Sequence, residues 1–137
     1  MANRVLLVTS IGMLVFHFLV VHWFRGPIIL QILYVLGPIT SVFNHLATSP
    51  WTLWTDRGVM AVGCGIDLWF ALVLPQRLLL SVITIAAVGF YAFAKYFSVY
   101  GYPLVLASFV FHVAAHILVS VSHFAILYFY SKSTVKL

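Results

Sequence analysis

The chain has 137 residues, of which 64% are hydrophobic and 7% are charged, against roughly 25% charged residues in an ordinary soluble domain. This composition excludes a water-soluble globular fold and a disordered tail, and it implies that lipid is the main solvent of the chain. The net charge of +5 comes from seven scattered basic residues and two acids, which excludes a nucleic-acid binder, and the single cysteine, Cys64, excludes an internal disulfide scaffold.

Five apolar runs follow one another along the chain, and each approaches the 20 or so residues that a helix needs to cross a hydrocarbon core about 30 Å thick. They cover about residues 5–24, 27–47, 57–74, 78–97 and 103–130. We interpret the first run as a retained helix, because no small-residue cleavage site of a signal peptide follows it. The sequence therefore predicts an all-α fold, a polytopic transmembrane helical bundle of about five spans, with residues 1–137 forming a single domain.

Turn-forming residues separate the runs. Pro27 favours a helix start, residues 48–50 (Thr-Ser-Pro) have the chemistry of a turn, and Pro75 ends the third run. The basic residues divide almost evenly between the two ends of the runs, and the positive-inside rule favours a cytoplasmic C-terminus. Aromatic residues typical of interfacial anchors lie beside two of the breaks: Trp51 and Trp54, and Tyr96, Tyr100 and Tyr102.

Ionisable side chains within or beside the runs are few. Each costs on the order of 2.5 to 3.5 kcal/mol at the bilayer centre, so those present usually face the bundle interior. Both acids of the chain, Asp56 and Asp67, belong to the third helix and lie eleven residues apart, which puts them on one helical face. For Asp67, a structural hydrogen bond to a neighbouring helix and a role as a site carboxylate are both open.

The last run carries a stripe of histidines. His112 and His116 are four residues apart and His123 follows eleven residues after His112, so all three share one face of the helix. An H-x-x-x-H spacing also arises by chance in a chain with six histidines. For His17, His22 and His123 we favour a side chain that is bonded to a carbonyl or that reaches the membrane interface.

His45, Asp56 and the first third of the last helix are predicted to lie on the same side of the membrane, because the second, third and fifth helices begin or end there. The side chains that would converge are two imidazoles in an H-x-x-x-H spacing, a third from another helix, and a carboxylate. Zinc binds histidine nitrogens in tetrahedral geometry and keeps one position open for water in catalytic sites. Ser41 precedes His45 by one turn, so its hydroxyl is expected to face the same cavity.

The order of these motifs resembles that of the alkaline ceramidase and progestin/adipoQ receptor superfamily of membrane hydrolases. The matching residues are Ser41-Val-Phe-Asn-His45, then Asp56, then His112-Val-Ala-Ala-His116. The resemblance implies that His45, His112 and His116 bind zinc, with Asp56 and Ser41 near the water that the metal activates. It also implies hydrolysis of an amide-linked lipid that enters sideways from the bilayer.

Two other interpretations compete with this one. Histidines on different helices can hold a haem iron from both faces, as in a haem- or quinone-binding anchor subunit of a larger complex. A scaffold without any site is the third interpretation, its helices docked through small residues. The haem interpretation pairs His17 or His22 with His116 or His123, and the scaffold uses Gly58, Gly63 and Gly65.

The sequence therefore predicts an integral, multi-pass membrane protein with an intramembrane zinc site made by His45, His112 and His116. Asp56 and Ser41 are the predicted catalytic residues, and a zinc-dependent lipid amidohydrolase is the leading functional hypothesis. The alternative cofactor is haem b. Membrane lipids, and not nucleic acids, are the predicted partners, while assembly as a homo-oligomer or within a larger membrane complex stays open.

Overall fold

The computed structural model describes residues 2–47, 49–99 and 104–133, and these form five α-helices. The predicted all-α fold is confirmed. The helices are α1 (Ala2–Trp23), α2 (Ile28–Ala47), α3 (Pro50–Val73), α4 (Arg77–Val99) and α5 (Leu104–Lys132).

Four of the five helices are long and apolar enough to cross a membrane: α1, α2, α4 and α5. The exception is α3, which is long enough, with 24 residues, but not apolar enough. It carries both acids of the chain together with Arg57, so its polar content and not its length sets it apart.

The third helix begins at Pro50, about seven residues earlier than the apolar pattern predicts. Ser49 caps it: its hydroxyl accepts a hydrogen bond from the backbone N–H of Thr52, and the Thr52 hydroxyl accepts one from the backbone N–H of Ser49, each at 3.2 Å. Pro50 occupies the first turn, where a missing N–H costs nothing. The two tryptophans predicted as loop anchors, Trp51 and Trp54, are therefore exposed side chains of the helix itself.

The other boundaries lie within about three residues of the predictions. Of the second predicted aromatic belt, Tyr96 is an exposed residue of α4, whereas Tyr100 and Tyr102 lie outside the described residues. Pro38 sits inside α2, where it removes one helical hydrogen bond without ending the helix.

Each helix packs against the next one along the chain, and α1 also packs against α5, so the five helices close into a ring. The helices α3 and α5 face each other across this ring and contact each other only lightly. One half of the interior is a dry core that includes Leu30, Phe70, Leu74 and Ile126. The opposite half, where α2 ends and α3 begins, contains cavities and polar side chains.

Candidate metal centre

Three histidines from two helices meet in the polar half of the bundle. His45 lies two residues before the end of α2, and His112 and His116 lie one turn apart on α5. Each offers one ring nitrogen, and the three nitrogens lie within 4.8 Å of one another. The structure thus brings together the three histidines that the sequence predicts as metal ligands.

The donor set fits a tetrahedral metal ion. Nε2 of His45 is buried and has no hydrogen-bond partner, which is costly for a polar atom unless something binds it. Nitrogens that each lie about 2.1 Å from a tetrahedral zinc ion are roughly 3.4 Å apart. The three nitrogens, on half-buried rings within 4.8 Å of one another, are spaced near this value.

A hydroxyl of α1 fixes the proton on His116. Nδ1 of His116 lies 3.1 Å from Oγ1 of Thr9, and Thr9 donates its only hydroxyl proton to the Leu6 carbonyl at 2.9 Å. Nδ1 of His116 must therefore donate to Thr9, which leaves Nε2 with a free lone pair. Bonds of this kind orient histidine ligands in metal sites. Thr9 was not predicted, since a threonine in an apolar helix satisfies its own hydroxyl on a nearby carbonyl and gives no sign of a second partner.

Asp56 is buried, 5% exposed, and is held from α2. The Asn44 amide donates to its Oδ2 at 2.9 Å. The Thr40 hydroxyl lies 3.3 Å from its Oδ1 and 2.9 Å from the Gly37 carbonyl, so its one proton is shared and the contact with Asp56 is the weaker of the two. Each carboxylate oxygen keeps lone-pair capacity for one more donor. Asp56 is not part of the three-nitrogen cluster, but it lines the same cavity as two of those histidines.

Ser41 is also buried, and its hydroxyl lies 3.0 Å from that of Ser10 on α1. Ser10 donates its proton to the Leu6 carbonyl at 2.8 Å, so Ser41 is the donor in the bond between the two serines. With its proton used in this way, the Ser41 oxygen can act toward the cavity only as an acceptor. This hydrogen-bond pattern favours a Ser41 that orients water over one that stabilises an oxyanion, because an oxyanion needs a donated proton.

A cavity of about 240 Å³ lies beside two of the three histidines. Ser41, Asp56, His112 and His116 line it together with Arg57 and Tyr91, and the rest of its wall is mainly apolar. A second cavity of about 70 Å³ shares Ser41, Asp56 and His116 with the first and extends to Tyr34, Asp67 and His123. The histidine cluster thus opens into a largely apolar interior space.

A second buried polar network lies deeper in the bundle and joins four helices. Tyr34 donates to Oδ1 of Asp67 at 2.7 Å, and Nε2 of His123 lies 2.9 Å from Oδ2 of the same carboxylate. Nδ1 of His123 lies 2.7 Å from Nε2 of His17, whose Nδ1 lies 2.6 Å from the Met13 carbonyl. The ring of Tyr34 also stacks on that of His123, with centroids 3.7 Å apart.

The hydrogen bonds of this network fix its protons. The Met13 carbonyl only accepts, so Nδ1 of His17 carries a proton, and Nε2 of a neutral His17 accepts one from Nδ1 of His123. The link between His123 and Asp67 holds one further proton. The three links thus hold three protons, which is the number on two neutral imidazoles and one neutral carboxyl. The network therefore has no net charge. Neutrality suits a group that is buried in apolar surroundings.

The histidine stripe of α5 is thus divided between two sites, since His112 and His116 meet His45 whereas His123 meets His17 and Asp67. Of the two roles left open for Asp67, its contacts are those of a structural carboxylate bonded to neighbouring helices. Of the other histidines, His17 is bonded to a carbonyl, one of the two forms predicted for it, and His22 is exposed near the end of α1.

The geometry also bears on the two competing interpretations. A haem iron bound by two histidines holds their nitrogens about 4 Å apart on opposite faces of a flat ring, whereas the facing nitrogens of His17 and His123 are 2.7 Å apart and bonded to each other.

The scaffold interpretation needs helices docked on the small residues of α3. A methyl group added at Gly58, Gly63 or Gly65 would meet nothing within 4 Å. No helix in the described part of the chain docks on these glycines.

Comparisons of the chain with models of protein families, with curated proteins and with solved structures found no match.

Proposed function

We propose that the chain is an intramembrane zinc-dependent hydrolase of amide-linked lipids. The observation that carries the proposal is the cluster of three histidine nitrogens within 4.8 Å of one another, one of them buried without a partner. His45, His112 and His116 would hold the metal. Zinc in such a site supplies the Lewis acidity that polarises an amide carbonyl and makes water a good nucleophile at neutral pH.

Asp56 has the surroundings of a general base. Its two oxygens are held from one side by Thr40 and Asn44, and it lines the cavity beside His112 and His116. In the proposed reaction Asp56 accepts a proton from the attacking water and returns it to the amide nitrogen as the C–N bond breaks. The water oxygen forms the new C–O bond, so the products are a carboxylic acid and an amine.

Ser41 orients the attacking water in this scheme. Because its proton is donated to Ser10, its oxygen accepts a hydrogen bond from the water and turns the remaining water proton toward Asp56. The contribution of Ser41 is thus positional, and that of Asp56 is proton transfer.

The surroundings of the site favour a lipid substrate. The cavity wall is mainly apolar, with side chains such as Met60, Val88 and Val119, and the outer faces of the helices carry many exposed apolar residues. In this proposal α3 is a fifth span whose acids face inward, so that a lipid reaches the site from within the bilayer. A wall of this kind accepts an acyl chain and excludes bulk water.

The test is metal content and lipid-amide hydrolysis in the detergent-purified protein. We expect about one zinc ion per chain and no haem absorption. His112→Ala and His116→Ala should each release the metal, because two nitrogens do not make a closed site. His22→Ala is the matched control, since it removes an exposed histidine outside the cluster and should leave zinc content unchanged.

Asp56→Asn separates metal binding from chemistry. It should retain zinc and lower the rate of hydrolysis by about 10²- to 10⁴-fold, the usual contribution of a general base. Unchanged zinc content in both histidine variants would refute the metal centre. Full activity of the Asp56→Asn variant would refute the proton-transfer role of Asp56.

A further inference from the structure

Two basic side chains lie at the metal-centre cavity. Arg57 lines the cavity directly, and its guanidinium carbon lies 5.4 Å from the centroid of the Trp54 ring. The Nζ atom of Lys95 lies 5.1 Å from the ring of Tyr91, another lining residue. Both basic residues are half-buried, and cation–π contacts of this kind hold them in place.

Within residues 2–47, 49–99 and 104–133, neither basic side chain forms an ion pair with a carboxylate. The chain has two acids. Asp67 is bonded to Tyr34 and His123, while Asp56 is hydrogen-bonded to Thr40 and Asn44 and is the one negative charge in electrostatic range of both basic residues. Among the described residues, the only ion pair within 4.0 Å joins His123 and Asp67. Arg57 thus lines the cavity and Lys95 lies behind its wall against Tyr91, and neither has a carboxylate within 4.0 Å in the part of the chain that the structure describes.

The charge of Lys95 also acts on the histidine cluster. It interacts electrostatically with His45, His112 and His116 and with Asp56. If zinc binds as proposed above, the metal and the two basic residues carry four positive charges, and Asp56 opposes them with one negative charge. A surplus of three positive charges in a low-dielectric interior is strongly unfavourable unless an anion accompanies it.

We propose that the lipid amide taken by this site carries an anionic headgroup of the phosphate type, bound by Arg57 and Lys95. This inference rests on the proposed function, because it concerns the substrate of the same site. Arg57 follows Asp56 directly in α3, and Lys95 lies four residues before the end of α4. A headgroup held between them lies beside the histidine cluster, with the amide within reach of it. Guanidinium and ammonium groups are the side chains that bind phosphate most strongly.

The experiment measures binding, so that it does not depend on turnover. A short-chain lipid amide with a phosphate monoester headgroup and its neutral alcohol counterpart, identical in both chains, are titrated into the purified zinc-loaded protein in neutral detergent. Isothermal titration calorimetry gives both dissociation constants. We expect the phosphate form to bind about 100-fold more tightly, the effect of two hydrogen bonds to charged groups at about tenfold each.

Variants assign the preference to the two basic residues. Arg57→Gln and Lys95→Gln should each reduce the preference for the phosphate form by about tenfold, and the double variant should abolish it. Arg77→Gln is the matched control, because Arg77 is an exposed basic residue at the start of α4, far along that helix from Lys95. It should leave the preference unchanged.

Each alternative has its own outcome. Equal affinity for the phosphate and neutral lipids, or a preference that survives in the double variant, would overturn the inference, and Arg57 and Lys95 would then serve only bulk bilayer headgroups. Inorganic phosphate that binds as tightly as the phosphate lipid would also overturn it, in favour of a site for the free anion. Hydrolysis of both lipids is measured in parallel. If the phosphate lipid binds preferentially but neither lipid is hydrolysed, the proposed hydrolase activity is refuted. If the lipids are hydrolysed without a preference for phosphate, only the proposed headgroup specificity is refuted.

Discussion

Replacing Asp67 tests whether the deeper network is held by hydrogen bonds or by a fixed pair of charges. In Asp67→Asn, the amide oxygen still accepts the Tyr34 hydroxyl, and the amide nitrogen donates to Nε2 of a neutral His123. Every bond between side chains is kept and the network stays neutral. In Asp67→Ala, the Tyr34 hydroxyl and Nε2 of His123 both lose their partner.

The expected difference follows from the number of bonds lost. Hydrogen bonds between membrane helices contribute about 0.6 kcal/mol on average and up to about 1.7 kcal/mol, because the unfolded chain in the membrane also finds partners. Two lost bonds therefore lower the free energy of unfolding of Asp67→Ala by about 1 to 3.5 kcal/mol. Asp67→Asn should lose less than about 1 kcal/mol, since it changes the strength of two bonds but not their number.

The measurement is reversible unfolding by sodium dodecyl sulfate in mixed micelles, followed by circular dichroism at pH 7.5, for the two variants and the unmodified chain. Tyr34→Phe is a useful third variant, because it removes one of the two bonds and should fall between the others. If Asp67→Asn is destabilised as strongly as Asp67→Ala, the network depends on a charged His123–Asp67 pair, and hydrogen bonds between uncharged groups are not what holds it.

Two further predictions concern residues that orient the metal centre. Thr9→Val removes the acceptor for Nδ1–H of His116 and should weaken zinc binding by about 10- to 100-fold in a chelator-competition titration. Ser10→Ala on the same helix should leave the zinc affinity unchanged. Equal zinc affinity in both variants would contradict the assigned role of Thr9. Asn44→Leu removes the stronger of the two hydrogen bonds to Asp56 and should lower kcat by roughly tenfold with zinc content unchanged, and loss of metal in this variant would show that Asn44 supports the fold of the site instead.

Helical spacing was enough to predict which residues share a face. His112 and His116 are four residues apart, and His45 lies at the end of the second run. These positions placed all three histidines on one side of the bundle, and the structure brings them together. The same spacing could not show that His123 belongs to another cluster. Seven residues separate His116 from His123, a rise of about 10 Å along α5, so a shared face does not imply a shared site.

The residues that orient the candidate ligands were beyond the reach of sequence reasoning. Thr9 and Ser10 lie in an apolar helix where a hydroxyl can bond its own backbone, as both do on the Leu6 carbonyl. Their second contacts depend on how α1 packs against α2 and α5, which periodicity does not encode. The start of α3 was missed for a local reason: Thr52 completes its capping box in place of the usual glutamate or glutamine.

The cavity beside the histidine cluster and the deeper network both take residues from α3 and α5. Asp56 and Asp67 are both on α3, while the candidate ligands His112 and His116 share α5 with His123. Since α3 and α5 contact each other only lightly across the ring, the bond between Asp67 and His123 is a direct link that can fix their relative rotation and height. A helix turns as a unit over this length, so a rotation of α3 that broke the bond at Asp67 would also turn Asp56 away from the cavity. The network thus aligns Asp56, the proposed proton acceptor on α3, with the proposed metal ligands on α5, and leaves the cavity between them open.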